Sequence, residues 1–171
     1  HGVNKIKKIK NEKKQKNILF VGKLNEAKGY HIFCDVAKRF HKINPEWKFI
    51  AIGDETRKNI FPNPKFVKEI GYKKNSDVLK YYEKSEISIG NSVWNEPLGR
   101  MAIEASSRKC LSLISNKGGL EESKNIAIVL KKNTSLEIIK ILKTLVSNKK
   151  IRRDYQKEFY KNNHFSLKII S

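Results

Sequence analysis

Short runs rich in apolar residues alternate along the chain with segments whose apolar residues recur every three or four positions. The apolar runs are ILFVG (18–22), KFIAIG (48–53), KFVKEIG (65–71), EISIG (86–90), CLSLIS (110–115) and IAIVL (126–130). Each has the length of a buried strand and ends at or next to a turn-forming residue. Between them, YHIFCDVAKRFHKI (30–43) places Ile32, Phe33, Val36, Ala37 and Phe40 at helical spacing. SDVLKYYEKS (76–85) predicts a second helix, with Ser76 as its cap and Asp77 at the positive helix start. LGRMAIEASSRK (98–109), SLEIIKILKTLVS (135–147) and a polar segment around IRRDYQKEFYKN (151–162) predict three more. Strands without a polar face, separated by helices, predict a parallel sheet covered on both sides. The expected class is therefore α/β, a Rossmann-like doubly wound parallel sheet of six strands, with residues 1–171 as a single domain. Ligands of such sheets lie beyond the carboxyl ends of the strands, which singles out the loops after Gly22, Gly53, Gly71, Gly90 and Ser115.

Composition narrows the class further. The 39% hydrophobic and 32% charged residues fit a soluble globular chain, and the apolar runs fall far short of the ~20 residues a membrane helix needs. The basic opening HGVNKIKKIK has no apolar segment after it, so no signal peptide is read there. An opening without methionine suggests a piece whose upstream part is missing. The formal net charge is +20, and 31 of the 37 basic residues are lysine. Such a charge attracts phosphates, anionic headgroups or nucleic acid; the alternative is compositional drift, since the lysines are scattered over every segment. Basic and aromatic residues do not interleave as in an RNA-recognition motif, so no nucleic-acid partner is expected. Cys34 and Cys110 are two distant cysteines without a CxxC context, which predicts buried thiols in a reducing, cytoplasmic compartment and no metal.

Two loops carry the strongest chemical signals. In FVGKLNEAKGY, Lys23 and Lys28 follow Gly22 at a strand end and precede a helix, where free backbone N–H groups would hold a phosphate. Neither the GxxxxGK[ST] nor the GxGxxG pattern is present, and two ordinary surface lysines are the alternative. In GNSVWNEPLGRMAIE, Pro97, Leu98 and Gly99 form a turn that opens a helix, and Gly99 allows a ligand close to the backbone. Glu96 stands ahead of that helix and Glu104 about one and a half turns inside it. Two carboxylates so placed accept hydrogen bonds from different hydroxyls of one ligand; alternatively, Glu96 is a turn residue and Glu104 pairs with Arg100 or Arg108. Tyr72, after Ile70 and Gly71, is either a platform beside a base or a half-buried aromatic. Gly118 and Gly119 make a tight turn before a short helical segment.

The order of these pieces resembles the carboxyl-terminal half of glycosyltransferase family 4, the retaining GT-B enzymes. HGVN is similar to the end of that family's interdomain linker, FVGKLNEAKG to its VGRL...KG motif, and VWNEPLGRMAIEASSRKCLSLISNKGGLEES to its EPFG...EA...GG region. The resemblance covers about residues 2–142. It implies that Lys28 and Lys23 bind the diphosphate of a nucleotide sugar and that Glu96 touches the sugar hydroxyls. It further implies that Glu104 holds the ribose and that Gly22, Pro97, Leu98, Gly99 and Arg100 line the donor. Ile70, Gly71 and Tyr72 then contact the base. Lys23 stands in place of the usual arginine, Leu98 of phenylalanine, and Lys109 of a glycine. The implied activity is hexosyl transfer from a UDP- or GDP-sugar to an acceptor hydroxyl, in polysaccharide, lipopolysaccharide or glycolipid synthesis, without cofactor or metal. The acceptor side would belong to a missing amino-terminal domain, so the piece alone is expected to be nearly inactive. A nucleotide-sugar-binding module without transferase activity is the alternative, and a peripheral contact with an anionic membrane is compatible with either.

Overall fold

The computed structural model describes residues 13–56, 65–94, 99–117 and 123–170, with side chains up to residue 164. Six strands form: β1 (Gln15–Val21), β2 (Lys48–Ile52), β3 (Val67–Glu69), β4 (Ser85–Gly90), β5 (Leu111–Ile114) and β6 (Ile128–Val129). They make one sheet in the order β3-β2-β1-β4-β5-β6, and every pairing is parallel. The helices are α1 (Tyr30–His41), α2 (Asn75–Lys84), α3 (Arg100–Ser107), α4 (Ser135–Ser147) and α5 (Lys149–Ile170). The chain leaves β1 first toward β2 and β3 and later returns to β4 on its other side. The switch point of the doubly wound sheet therefore lies between β1 and β4.

Alternation along the strands explains the two cores. Ile18 and Phe20 point to the face covered by α1 and α4, where Phe33, Val36, Phe40, Ile138 and Leu142 complete one cluster. Leu19 points the other way, with Ile50 and Ile52, into a cluster closed by Val78 and Tyr82 of α2 and Ala105 of α3. Strands buried on both faces are apolar throughout for this reason.

Some boundaries differ from the pattern. α2 starts at Asn75 with Lys74 in the extended cap position and no side-chain cap bond, so Ser76 lies in the first turn and does not cap. A side-chain cap does form at α4, where the Thr134 hydroxyl accepts from Glu137 N at 3.3 Å. β3 pairs over only three residues, and the terminal helix runs well beyond the predicted 151–162. Lys109 has φ 54°, a left-handed conformation that favours glycine; its ammonium lies 4.9 Å from the centre of the Tyr160 ring.

Two charged side chains bind the lower ends of the elements together. Lys14 donates from Nζ to four carbonyls: Tyr82 at 3.1 Å, Glu83 at 2.8 Å, Ser85 at 3.0 Å and Arg108 at 2.9 Å. The chain before β1 thereby caps the carboxyl ends of α2 and α3, where a cation is favoured. Burial lowers the Lys14 pKa. Glu86, at the start of β4, is buried and takes a two-pronged bond from Arg153 at 2.7 and 2.8 Å. Arg152 and Gln156 donate to the same carboxylate at 3.2 and 2.8 Å. Arg152 also bonds Leu145 O at the end of α4 and stacks over Trp47, so α5 is fixed to both the sheet and α4.

These contacts predict two outcomes. Lys14→Met removes the donor shared by these four half-buried bonds and costs on the order of 3 kcal/mol, read as a lower urea midpoint; an unchanged midpoint would contradict the capping role. Burial pushes the Glu86 carboxyl up, but the bonds from Arg153 and Gln156 and the charges of both arginines outweigh it and hold the pKa below the ordinary value. The stability contributed by this group is therefore present above the unfolded-state pKa and disappears as pH falls through the lower folded value. Between about pH 6 and about pH 3 the Glu86→Gln variant should lose less stability than the parent. Equal losses would show that Glu86 does not control acid sensitivity.

Candidate functional site

At the carboxyl edge of the sheet three glycines stitch β1, β2 and β3 together. Gly22 N donates to Ile52 O at 2.9 Å and Gly53 N to Gly71 O at 3.0 Å. A Cβ on Gly53 would stand 1.8 Å from Gly22 O, so only glycine permits this approach.

The loop from Gly22 to Gly29 is a compact turn with few free donors. Leu24 N bonds Asp54 O, Asn25 N bonds Lys23 O, Gly29 N bonds Glu26 O and Tyr30 N bonds Asn25 O. Lys28 N is taken by Asn25 Oδ1 at 3.1 Å, and Asn25 Nδ2 reaches Glu55 at 2.9 Å. The expectation of free backbone donors beside the lysines is therefore not met at Gly22, Leu24, Asn25, Lys28 or Gly29, because the tight turn consumes them. The positive charge of this loop lies on Lys23, which is exposed, and on Lys28, which is half-buried.

The same loop is clamped to the segment after β4, across the switch point. Asn91 is fully buried and donates from Nδ2 to Gly29 O at 2.8 Å. Ser92 Oγ and Val93 N both donate to Ala27 O at 3.0 Å. A Cβ on Gly29 would fall 2.1 Å from Asn91 O, so the two backbones meet directly. Asn133 Nδ2 bonds Asn91 O at 2.7 Å and Ser115 Oγ bonds Ser92 O at 2.6 Å, which ties in the ends of β5 and β6. The Oδ1 atoms of Asn91 and Asn133 are buried without a protein partner among the described residues. Asn91, Ser92, Ser115 and Asn133 are the site-forming residues that sequence reasoning missed. Three polar residues directly after apolar strands, Asn91 and Ser92 after β4 and Ser115 after β5, were the available signal; Asn133 gave none.

The second predicted loop is described only in part. Glu96, Pro97 and Leu98 lie outside the described residues, as do Gly118 and Gly119. Gly99 precedes α3, which has no side-chain cap, so its first-turn N–H groups lack intrahelical partners. A Cβ on Gly99 would lie 2.1 Å from Oγ of the buried Ser123, so the close neighbour here is a serine side chain. Glu104 forms the helical pair with Arg100, Nε to Oε1 at 3.0 Å, so the pairing alternative holds for this carboxylate. Its side chain is 17% exposed against 75% for Arg100, and Oε2 has no protein partner among the described residues. Ile70 N bonds Ala51 O at 3.0 Å, Gly71 has φ 76°, and Tyr72 is 73% exposed, not half-buried. Trp94 is equally open at 70%.

The remaining titratable groups are quieter. Burial pushes both thiols up to about 11; Cys110 is buried as expected, whereas Cys34 is only half-buried. Among the described residues no group of three His, Cys, Asp or Glu could hold a metal ion, and no helix is long and apolar enough to cross a membrane.

Comparison with known proteins fits this geometry. HepE of Anabaena, solved in complex with UDP-glucose, superposes with a TM-score of 0.73 at 17% identity, over 87% of this chain and 44% of that one. The carboxyl-terminal domain of LpcC from Francisella tularensis, a glycosyl transferase group 1 family protein, gives 0.73 at 21% identity, over 85% and 82%. Spore coat protein SA of Bacillus subtilis is 29% identical over 132 residues, 67% of this chain and 35% of that protein. An uncharacterized 42.6 kDa protein in the cps region of Klebsiella pneumoniae is 29% identical over 117 residues, 65% and 29%. The chain thus spans about a third of the length of the curated relatives it matches. The family model for glycosyl transferases group 1 matches residues 3–162, and the chain belongs to that family.

Proposed function

We propose that residues 1–171 form the donor-binding domain of a retaining hexosyltransferase, whose acceptor side is supplied by an amino-terminal domain. The observation that carries this reading is the clamp of the Lys23–Lys28 loop onto the segment after β4. It fixes the turn that carries both lysines beside the switch point, where open parallel sheets take their ligands. A diphosphate is the fitting anion, since the loop supplies charge and few backbone donors.

Lys23 and Lys28 neutralise the diphosphate as the anomeric bond breaks, without metal. Preorganised donors of this kind are worth ~2.7–4 kcal/mol each. Glu96 orients the sugar through its hydroxyls, with Pro97, Leu98, Gly99 and Arg100 beside the sugar and phosphates. Glu104 accepts from the ribose hydroxyls through Oε2, which does not require breaking its pair with Arg100. Gly22, Ile70 and Gly71 line the base, and the exposed Tyr72 ring stacks on it. The donor is a UDP-sugar, the ligand class present in the HepE complex. The acceptor is a hydroxyl of a cell-surface polysaccharide, lipopolysaccharide or glycolipid precursor. The work takes place at the cytoplasmic face of an anionic membrane, to which each nearby lysine adds ~1 kcal/mol of attraction.

Thermal-shift titration with UDP, GDP and their sugars tests the site. UDP should raise the melting temperature, and Lys28→Ala or Glu104→Ala should weaken its binding about tenfold, as expected for one charge-assisted hydrogen bond. Shifts that both variants leave unchanged would remove these residues from the site. The isolated chain should also turn over far less donor than the same chain joined to its amino-terminal half. Equal rates would show that this half contains the whole catalytic cleft.

A further inference from the structure

A second anion-attracting feature lies along α2. This helix packs on β1 and β4, while its outer flank faces the lower parts of β2 and β3. The space between is a cleft of about 1120 Å³. Seven of its nineteen lining residues are lysine, twice the share in the whole chain, where 31 of 171 are. Only Glu46 and Asp77 oppose them.

The lysines are ordered, not merely numerous. Asp77, Lys80 and Lys84 follow one another at helical spacing along α2 over ~10 Å, and Lys73 lies in the segment that leads into the helix. Lys48 and Lys68 stand opposite on β2 and β3. Lys80 lies 3.7 Å from Asp77, but no carboxylate among the described residues pairs with Lys48, Lys68, Lys73 or Lys84. Like charges along both walls of a concave, protein-lined channel focus a positive potential into it.

The shape decides which anion fits. A bilayer surface meets convex protein faces and does not enter a cleft. Single-stranded nucleic acid needs open aromatic platforms for its bases. Trp47 is only 2% exposed, and Phe66 and Tyr81 are half-buried, the Phe66 ring 4.8 Å from that of His41. Compact lysine charges without a fully open aromatic ring suit a chain of repeated phosphate or sulfate groups.

We propose that this cleft binds a linear polyanion bearing closely spaced phosphate or sulfate groups, at a place separate from the Lys23–Lys28 loop. Calorimetric titration of the 171-residue chain with inorganic polyphosphate tests it. A combined Lys68→Glu, Lys80→Glu, Lys84→Glu variant should bind at least about tenfold more weakly, with the salt dependence reduced by about two ion equivalents. Lys140→Glu, Lys143→Glu, Lys149→Glu makes the same change in net charge on exposed positions outside the cleft, and should bind nearly as the parent does. Heparin in place of polyphosphate should follow the same ranking. Circular dichroism checks that both variants are folded, and a Lys→Gln version of the cleft variant, expected to weaken binding less steeply, replaces it if folding fails. Equal weakening by both variants would assign the binding to overall charge. Tighter binding of oligo-dT or of anionic vesicles, or no binding of polyphosphate by the parent, would likewise overturn the proposal.

Discussion

The carboxamide of Asn91 joins the two halves of the ligand edge, and the arrangement of the site follows from it. It is buried at the end of β4 and holds the carbonyl of Gly29 from the far side of the switch point. Because Gly29 also opens α1, this bond sets the helix entry, the turn before it and both lysines of that turn. A buried amide that loses its partner costs ~1–3 kcal/mol, so the clamp is specific as well as stabilising. Two glycine contacts, Gly29 against Asn91 and Gly53 against Gly22, let backbones approach where a side chain would intrude.

The opposite edge is organised by ionic contacts with the same economy. Lys14 collects the carboxyl ends of α2 and α3, and Glu86 collects Arg152, Arg153 and Gln156 of α5. The sheet is thus fixed from below by charged groups with several partners each, while Lys23 is exposed at its upper edge. The lysines of this strongly basic chain stand in three distinct settings: Lys14 as a half-buried cap, Lys23 and Lys28 in the turn beside the switch point, and seven that line the cleft beside α2.

Much of this was legible in the residues. The six strands and five helices among the described residues follow from apolar runs and helical spacing. The central strands, buried on both faces, carry the clearest apolar signature, whereas the edge strand β3 is Val-Lys-Glu and largely exposed. Lys109, which stands in place of the glycine of the resembled family motif, is left-handed in the fold, so the departure corresponds to a backbone conformation. The Glu104–Arg100 pair was legible as an i,i+4 spacing. The clamp was not, since Asn91 meets Gly29 across 62 positions and nothing local marks that contact. Glu86 was hidden in the same way: a carboxylate at the start of an apolar strand reads as a boundary, and its partners come some seventy residues later. The consumption of backbone donors in the Gly22–Gly29 turn depends on the folded path of the loop, which spacing alone does not convey.

The central claim is that the clamped lysine turn at the β1–β4 switch point receives the diphosphate of a nucleotide sugar. A crystal structure of the chain with bound UDP measures this most directly. The account predicts the diphosphate within hydrogen-bonding distance of the Lys23 and Lys28 ammonium groups, with ribose hydroxyls at Glu104 Oε2. A diphosphate bound in the lysine cleft along α2, with the Gly22–Gly29 turn unoccupied, would contradict it.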